Sequence, residues 1–536
     1  MTGSAEIFDY VIVGAGAAGS VLANRLSAAD VTVCVLEAGP SDNHPFLHIP
    51  AGFIKVIFDP RFAWQYDTEP SDMLHGRSIP IPQGRTLGGS SSVNGLVFNR
   101  GQHEDYDLWE QLGNPGWSFR DVLPYFKALE RRIGGEDEYR GRQGSLAVTD
   151  PDWQHPICEA FIEGAQEMGL PRAPDYNGAC QLGVGYFQRT IKNGMRVSAS
   201  KAFLKPLKKE KNLHIKTNAQ ATKIIFEDKQ AVGVEYTYSN QPSKRLRVKA
   251  NKEVIIACGA INTPRLLQLS GLGPADLLRR HGVTVVKNLP GVGENLSDHY
   301  SVRVVAKVRN VQTINELTTG IELWRQVFNW ILKRPSVLSL SPSVVHWFCK
   351  SQPSVPRADL QGVFTPASYK EGYVGRLDDY PGMTAGVWQH RPKSRGHVRI
   401  ASSDPYAKPI IQPNYLHHHE DQTVLVRGIQ MARNLLRSDA LSPFYDTEVF
   451  PGSDCQTEDE LLDFAKRYGV SSYHVNGTAR MGQKNDRYAV VDEKLKVHGI
   501  SRLRIVDSSV MPSIVSGNTC AASMMIGYKA ADLIFE

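Results

Sequence analysis

Asp9-Tyr10-Val11-Ile12-Val13 is an apolar run that leads straight into Gly14-Ala15-Gly16-Ala17-Ala18-Gly19, and a second run, Val31 to Leu36, ends at Glu37. The first run reads as a buried parallel strand and Ser20 to Leu26 as the helix after it. Helical periodicity returns between Asp107 and Arg131, interrupted at Gly113-Asn114-Pro115-Gly116, and again over Pro156 to Met168; Ser198 to Pro206 reads as a helix-to-loop transition. From Leu213 the period shortens, which predicts strands at Leu213 to Thr217, Ala221 to Phe226, Ala231 to Tyr238 and Leu246 to Ala250. Val254 to Ala260 reads as a strand returning to the first sheet, with a helix beginning near Thr263-Pro264, where proline lacks only a donor that the first turn does not need. Asn295 to Gln430 mixes strand and helix and predicts a second layer; Leu503 to Asp507 and the apolar helix behind it return to the first unit.

The N-terminal glycines have separate uses. Gly14 permits the tight turn, Gly16 lets a pyrophosphate approach the backbone, and Gly19 lets the helix pack on the sheet. Glu37 sits where a carboxylate accepts both hydroxyls of an adenosine ribose, which disfavours a 2′-phosphate and leaves FAD and NAD open. A second glycine and hydroxyl cluster, Gly84 to Gly95, offers backbone N–H groups to an anion or a planar cofactor.

At 536 residues the chain exceeds one hydrophobic core, so two or three structural units are expected. A net charge of +6 without a Lys/Arg stripe does not argue for nucleic acid. Seven cysteines without a CxxC spacing read as reduced, structural thiols of a cytosolic protein. Met1 to Glu6 leads directly into the first strand, so no cleaved signal peptide is expected. No stretch is long and apolar enough to span a bilayer. The nearest membrane candidate, Gly320 to Lys333, is amphipathic; it reads as a helix packed over the second domain, with a surface-associated helix or an entrance lid as the alternative. The expected location is cytoplasmic, with peripheral contact to the inner membrane left open.

Five separated signatures make the chain similar to the glucose-methanol-choline family of FAD-dependent oxidoreductases, in its bacterial alcohol/choline dehydrogenase-like branch. They are Gly14 to Gly19 with Glu37, Gly84 to Asn94, Gly259 to Gly273, Ser472 to Gly482, and Val506 to Thr519. The resemblance implies a Rossmann-like α/β FAD-binding domain (1–155, 200–300 and 470–536) and a non-contiguous α+β substrate domain (156–199 and 301–469) with an extended antiparallel sheet covered by helices. It turns the cofactor choice to FAD. Carried onto this chain, Gly14, Gly16, Ala17, Ala18, Gly19, Glu37 and Ala38 would hold the adenosine-diphosphate half, with Trp64 and Ala221 near the adenine. Arg85, Leu87, Gly89, Ser90, Asn94 and Gly95 would lie along the pyrophosphate and flavin, and Asp507, Asn518 and Thr519 near the ribityl chain and flavin. Val93 stands where some relatives carry a flavin-linking histidine, so non-covalent FAD is expected. The resemblance also implies His474 as the base for a substrate hydroxyl and Asn518 as a hydrogen-bond donor to it, and Ala479 in place of a cysteine common in related bacterial sequences.

The expected reaction is oxidation of a primary alcohol to an aldehyde, with hydride passing to the flavin and electrons onward to dioxygen or a quinone-type acceptor. A neutral aliphatic or aromatic alcohol is the leading substrate; a choline-like alcohol and redox-neutral cyanohydrin cleavage are the alternatives. The aromatic inventory of the second domain, including Trp324, Phe328, Trp347, Tyr369 and Trp388, does not choose among them. Oligomeric state stays open. Other candidates have ordinary readings. His417-His418-His419-Glu420-Asp421 lacks a metal-ligand spacing and reads as a helix start, so no metal is expected. Asn476-Gly477-Thr478 matches a glycosylation pattern but abuts His474. His103-Glu104 is not a dyad by adjacency alone, and Ser90 to Ser92 lack a nucleophile-elbow context.

Overall fold

A computed structural model describes residues 6–207, 210–370 and 375–536. Glu6 opens the first strand; residues 1–5, part of the segment expected to lack a targeting signal, and residues 371–374 of the expected substrate layer lie outside the described residues.

The N-terminal pattern builds a parallel core. Strands Leu213–Lys216, Val33–Leu36, Glu6–Val13 and Gln241–Ile256 lie side by side, and Leu503–Ile505 adds to the far edge of the last, opposite Val254 to Ile256. Val11, Ile12, Val33 to Val35 and Val254 to Ile256 are buried, as continuous apolar strands covered on both faces require. Helix Ala17–Ser27 packs against the C-terminal helix Cys520–Phe535, so the two ends of the chain close one layer. A Cβ on Gly19 would sit 2.0 Å from the Gly14 carbonyl oxygen, which is why the helix can lie so close to the turn.

Two boundaries differ from the sequence expectation. Leu246 to Ala250 and Val254 to Ile256 belong to one sixteen-residue strand, Gln241–Ile256. The polar break at Asn251 to Glu253 marks where this strand leaves its antiparallel partner Gln230–Tyr238 and runs on beside Glu6–Val13, whose register shifts between Phe8 and Tyr10. The following helix starts at Gly259, not near Pro264, and carries the proline inside. Proline there cannot bond the carbonyl of Ala260, and the Thr478 hydroxyl donates to that oxygen instead, at 2.6 Å.

The second layer is an antiparallel sheet ordered Tyr445–Phe450, Tyr300–Val308, Gly382–Gln389, Leu360–Thr365, Val345–Cys349 and Gly183–Tyr186. Helix His419–Leu436 packs on Gly382–Gln389, joined by Pro156–Glu167 and Glu458–Tyr468 in one apolar core. Val470–Ser471 pairs with Tyr300–Ser301 at one edge of this sheet. That edge carries the chain into His474. No helix among the described residues is long and apolar enough to cross a membrane.

Candidate active site

One cavity of about 390 Å³ runs from the N-terminal turn to the second sheet. Gly14, Gly16, Ala17, Ala18, Glu37, Ala38, Trp64, Gly89, Ser90, Asn94, Gly95, Ala221, His474, Asp507, Asn518 and Thr519 all line it. Gly19, Arg85 and Leu87 do not. Gly19 packs behind the turn, Arg85 lays its guanidinium over Trp64 at 4.6 Å, and Leu87 packs on the core.

At the nucleotide end, Gly14 adopts φ +103°, and a Cβ there would lie 2.3 Å from the Ala257 carbonyl oxygen. Gly16 differs: a Cβ on it would meet no protein atom closer than 4.0 Å, so the backbone faces open cavity. The helix begins at Ala17 without a side-chain cap, leaving its first N–H groups for a ligand. The Glu37 carboxylate accepts N–H bonds from Ala15 at 2.9 Å and Gly39 at 2.8 Å; burial pushes its pKa up, against those donors and the Arg85 charge. The main-chain carbonyl of Glu37 accepts the Ala219 N–H, which brings Ala221 to the same corner.

Asp507 lines the cavity, but protein donors already take its oxygens: Ser509 N–H on one, Gly259 N–H and the Thr263 hydroxyl on the other. Its carboxylate ties the turn at Ser508–Val510 to the start of helix Gly259–Leu269.

His474 projects from a loop in which Tyr473 is left-handed, φ +63°, a costly conformation for a bulky residue. Its Nε2 lies 3.0 Å from Nδ2 of Asn518 and its Nδ1 lies 2.9 Å from Nδ1 of His299. The far nitrogen of His299, Nε2, donates to the His390 carbonyl at 2.7 Å. Because a carbonyl only accepts, neutral His299 keeps its lone pair on Nδ1, and His474 must donate Nδ1–H to it. The His474 lone pair therefore sits on Nε2, beside Asn518. Burial lowers the His299 pKa to about 4 and carries His474 well below its usual value, with His299 adding to the effect, so both rings are neutral near pH 7. Asn518 is oriented in turn by Gln361, whose Nε2 donates to Asn518 Oδ1 at 3.3 Å.

Asp298 anchors the pair. One oxygen accepts the backbone N–H of His474 at 2.7 Å and of His299 at 2.9 Å, and the other accepts the hydroxyls of Tyr415 and Ser471, each at 2.5 Å. Burial pushes this carboxyl up to about 6 against the pull of the four donors.

Asp298, His299 and Gln361 were absent from the sequence-level site, as was Arg196, which is buried and donates to Asn94 Oδ1 at 2.9 Å. The one available signal was a polar run, Ser297-Asp298-His299, enclosed by Leu296 and Tyr300 ahead of a strand. The ordinary readings have direct partners. His418 accepts the Glu420 N–H at the start of helix His419–Leu436; His103 stacks on Phe119, and Glu104 pairs with Arg357. Asn476 is buried and donates to the carbonyls of His474 and Ser297, with no exposed amide to glycosylate. Cys258 and Cys520, read as structural thiols, line the cavity.

Two sequence profiles described as GMC oxidoreductase match residues 8–301 and 392–527. The chain belongs to the GMC oxidoreductase family. It is 38% identical over 531 residues to an alcohol dehydrogenase [acceptor] of Pseudomonas putida, covering 98% of this chain and 96% of that protein. It is 39% identical over 533 residues to an oxygen-dependent choline dehydrogenase of Vibrio vulnificus, covering 99% and 94%. Among solved structures it is similar to pyridoxine 4-oxidase from Mesorbium loti, at 29% identity and a TM-score of 0.88 over 98% of both chains. This GMC oxidoreductase is an FAD-dependent enzyme of the alcohol oxidase or dehydrogenase type, acting on an alcohol- or aldehyde-type substrate. Its residues suit the dinucleotide: the uncapped helix start, the open face of Gly16 and the buried Glu37 carboxylate offer amide donors and a ribose acceptor.

Proposed function

We propose that this GMC oxidoreductase converts a primary alcohol to its aldehyde, with His474 taking the hydroxyl proton and Asn518 positioning the same oxygen. The observation behind this reading is the lone pair of His474 Nε2, held toward the cavity by His299 and placed 3.0 Å from the Asn518 amide. Without substrate, the Asn518 amide donates to that lone pair; a substrate hydroxyl takes its place, donating to Nε2 and accepting the freed Asn518 N–H. Proton transfer leaves an imidazolium whose Nδ1–H still donates to His299, so the ring does not turn as it charges. Bound FAD supplies the hydride acceptor. Gly16 to Ala18, Glu37 and Ala38 would hold its adenosine-diphosphate half near Trp64, Arg85 and Ala221, and Gly89, Ser90, Asn94, Gly95 and Thr519 would face its other half. Val93 offers no nucleophile, so the flavin is held without a covalent bond. Acid precipitation of the holoenzyme then releases all of its FAD, and flavin left on the pellet refutes this. Dioxygen or a quinone-type acceptor would take the electrons onward.

The comparisons favour a choline-like alcohol over a neutral one, since several relatives, 37–39% identical over nearly the whole chain, are named oxygen-dependent choline dehydrogenase. Trp388, 6.0 Å from the His474 ring, and Tyr473 offer aromatic faces to a trimethylammonium group. A neutral aliphatic or benzylic alcohol is the second reading, favoured by charge. Among the described lining residues the carboxylates are Glu37 and Asp507, both on the dinucleotide side, while Arg303 stands on the substrate side. Anaerobic flavin bleaching with choline, hexanol, benzyl alcohol and a furanic alcohol separates the readings. His474→Ala with full FAD content slows bleaching by about 10²–10⁴-fold; an unchanged rate refutes the assignment, and substrate cleavage without bleaching replaces oxidation by lyase chemistry.

A further inference from the structure

Helix Gly320–Ile331 inverts the usual arrangement of an amphipathic helix. Its one buried residue is polar, with Leu323, Val327 and Trp330 half-buried beside it. Gln326 is buried, with its carbonyl accepting the Ser336 hydroxyl and its side-chain oxygen accepting the Val337 N–H, and Trp330 donates its indole N–H to the Gly194 carbonyl at 2.9 Å. The opposite side carries Ile321, Trp324, Phe328 and Ile331, spaced three, four and three residues apart so that they form one stripe. That stripe faces outward: exposure is 83% at Ile321, 73% at Trp324, 59% at Phe328 and 62% at Ile331, and Leu332 next to it is 45% exposed. The helix packs on its neighbours through Gln326 and Trp330, while its apolar stripe is left to the surface.

The surroundings add a net positive charge. Arg325, Lys333 and Arg334 are exposed on or just beyond the helix, and Lys192 is exposed on the hairpin that receives the Trp330 indole bond. Glu322, 3.7 Å from Arg325, is the one acid within the helix. The turn Val337–Ser339 behind the helix packs on the turn Pro50–Gly52. From there the short helix Phe53–Val56 exposes Ile54, and Phe58 just after it is also exposed, while Phe53 and Ile57 line the cavity.

We propose that this face docks on the surface of an anionic lipid bilayer, with the Ile321, Trp324, Phe328 and Ile331 stripe in the headgroup–acyl boundary and the flanking cations on the headgroups. A single exposed helix with an aromatic and aliphatic stripe and a mainly basic rim matches an interfacial lipid-binding helix. A second copy of the chain fits less well, because an isologous contact would set the basic rim against itself. The proposal goes beyond the alcohol chemistry and does not depend on it.

Co-sedimentation of the holoenzyme with vesicles tests it, using phosphatidylcholine alone and phosphatidylcholine mixed with phosphatidylglycerol. The wild-type protein is expected to partition onto the mixed vesicles, less so at high salt and on neutral vesicles. Trp324→Glu/Phe328→Glu should lower that partitioning about tenfold or more, and Lys333→Glu/Arg334→Glu should remove the preference for phosphatidylglycerol. Both variants change exposed side chains and should keep full FAD content and activity with a soluble acceptor. Wild-type protein that stays in the supernatant with both vesicles overturns the proposal, as does a Trp324→Glu/Phe328→Glu variant that binds like wild type. A wild-type dimer that the same variant splits, with no vesicle binding, assigns the face to self-association instead.

Discussion

Nδ1 of His299 and Nδ1 of His474 lie 2.9 Å apart and share one proton, which His474 carries. His299 thus sets the tautomer of the proposed base without facing the substrate. His299→Phe removes the acceptor and lets the His474 proton move to Nε2, where it blocks the lone pair. Flavin reduction should slow about 10–100-fold, by analogy with the loss of a partner that orients a metal-bound histidine, with FAD content unchanged. His299→Gln, which can still accept at that position, should restore part of the rate. Equal losses in both variants would show a packing defect and not a tautomer effect.

The same pair makes the protein acid-labile. His299 titrates at about 4 when folded and near its usual 6.5 when unfolded, so the unfolded chain binds more protons across that window. Stability is fully present above about pH 6.5 and lost as pH falls toward 4, by about 2 kcal/mol at pH 5 from His299 alone. His474 shifts in the same direction. Asp298, raised to about 6, runs the other way between about pH 6 and 4, since its folded form holds the extra proton. Two histidines outweigh one carboxyl. Thermal melts of the holoenzyme should therefore fall between pH 7 and 5, and less steeply in His299→Gln.

Much of this was legible in the chain because the nucleotide unit is local: a strand, a glycine turn and a helix follow one another within about thirty residues, and each residue type has a steric duty there. Strand existence was also legible, whereas the join across Asn251 to Glu253 was hidden because polar residues in a strand look like a break until its neighbours are known. His474 was found through its motif. Its partners were not, because Asp298 and His299 are 176 and 175 residues away in sequence, just ahead of strand Tyr300–Val308; Gln361, which orients Asn518, is 157 residues from it on the second sheet. The helix at Gly320 was recognised as amphipathic, but period alone does not say which face turns inward; Gln326 decided that through its bonds to Ser336 and Val337.

Thr478 is predicted to stabilise the fold through a neighbour's missing donor. Its hydroxyl is the partner of the Ala260 carbonyl that Pro264 cannot serve, and Thr478 is fully buried. Thr478→Val keeps the shape and leaves that oxygen unpaired, at a cost of about 1–3 kcal/mol. Pairing it with Pro264→Ala, which returns an N–H to the helix, should recover most of the loss. Denaturation of the single and double variants reads the coupling; additive effects would break the assignment.

Two glycines of the N-terminal turn should fail in different ways. Gly14→Ala forces a Cβ to 2.3 Å from the Ala257 carbonyl oxygen at φ +103°, so the turn itself must shift. That strain costs on the order of 1–3 kcal/mol before any ligand is considered, and the flavin-free protein should already be less stable than wild type. Gly16 has an ordinary φ of −75°, and its missing Cβ would point into open cavity. Gly16→Val should leave the melting curve of the flavin-free protein close to wild type while FAD no longer binds, because the side chain occupies the space where the pyrophosphate must approach the backbone. Melting curves with and without added FAD distinguish the two. Stabilisation of Gly16→Val by FAD to the wild-type extent would remove the dinucleotide from this turn.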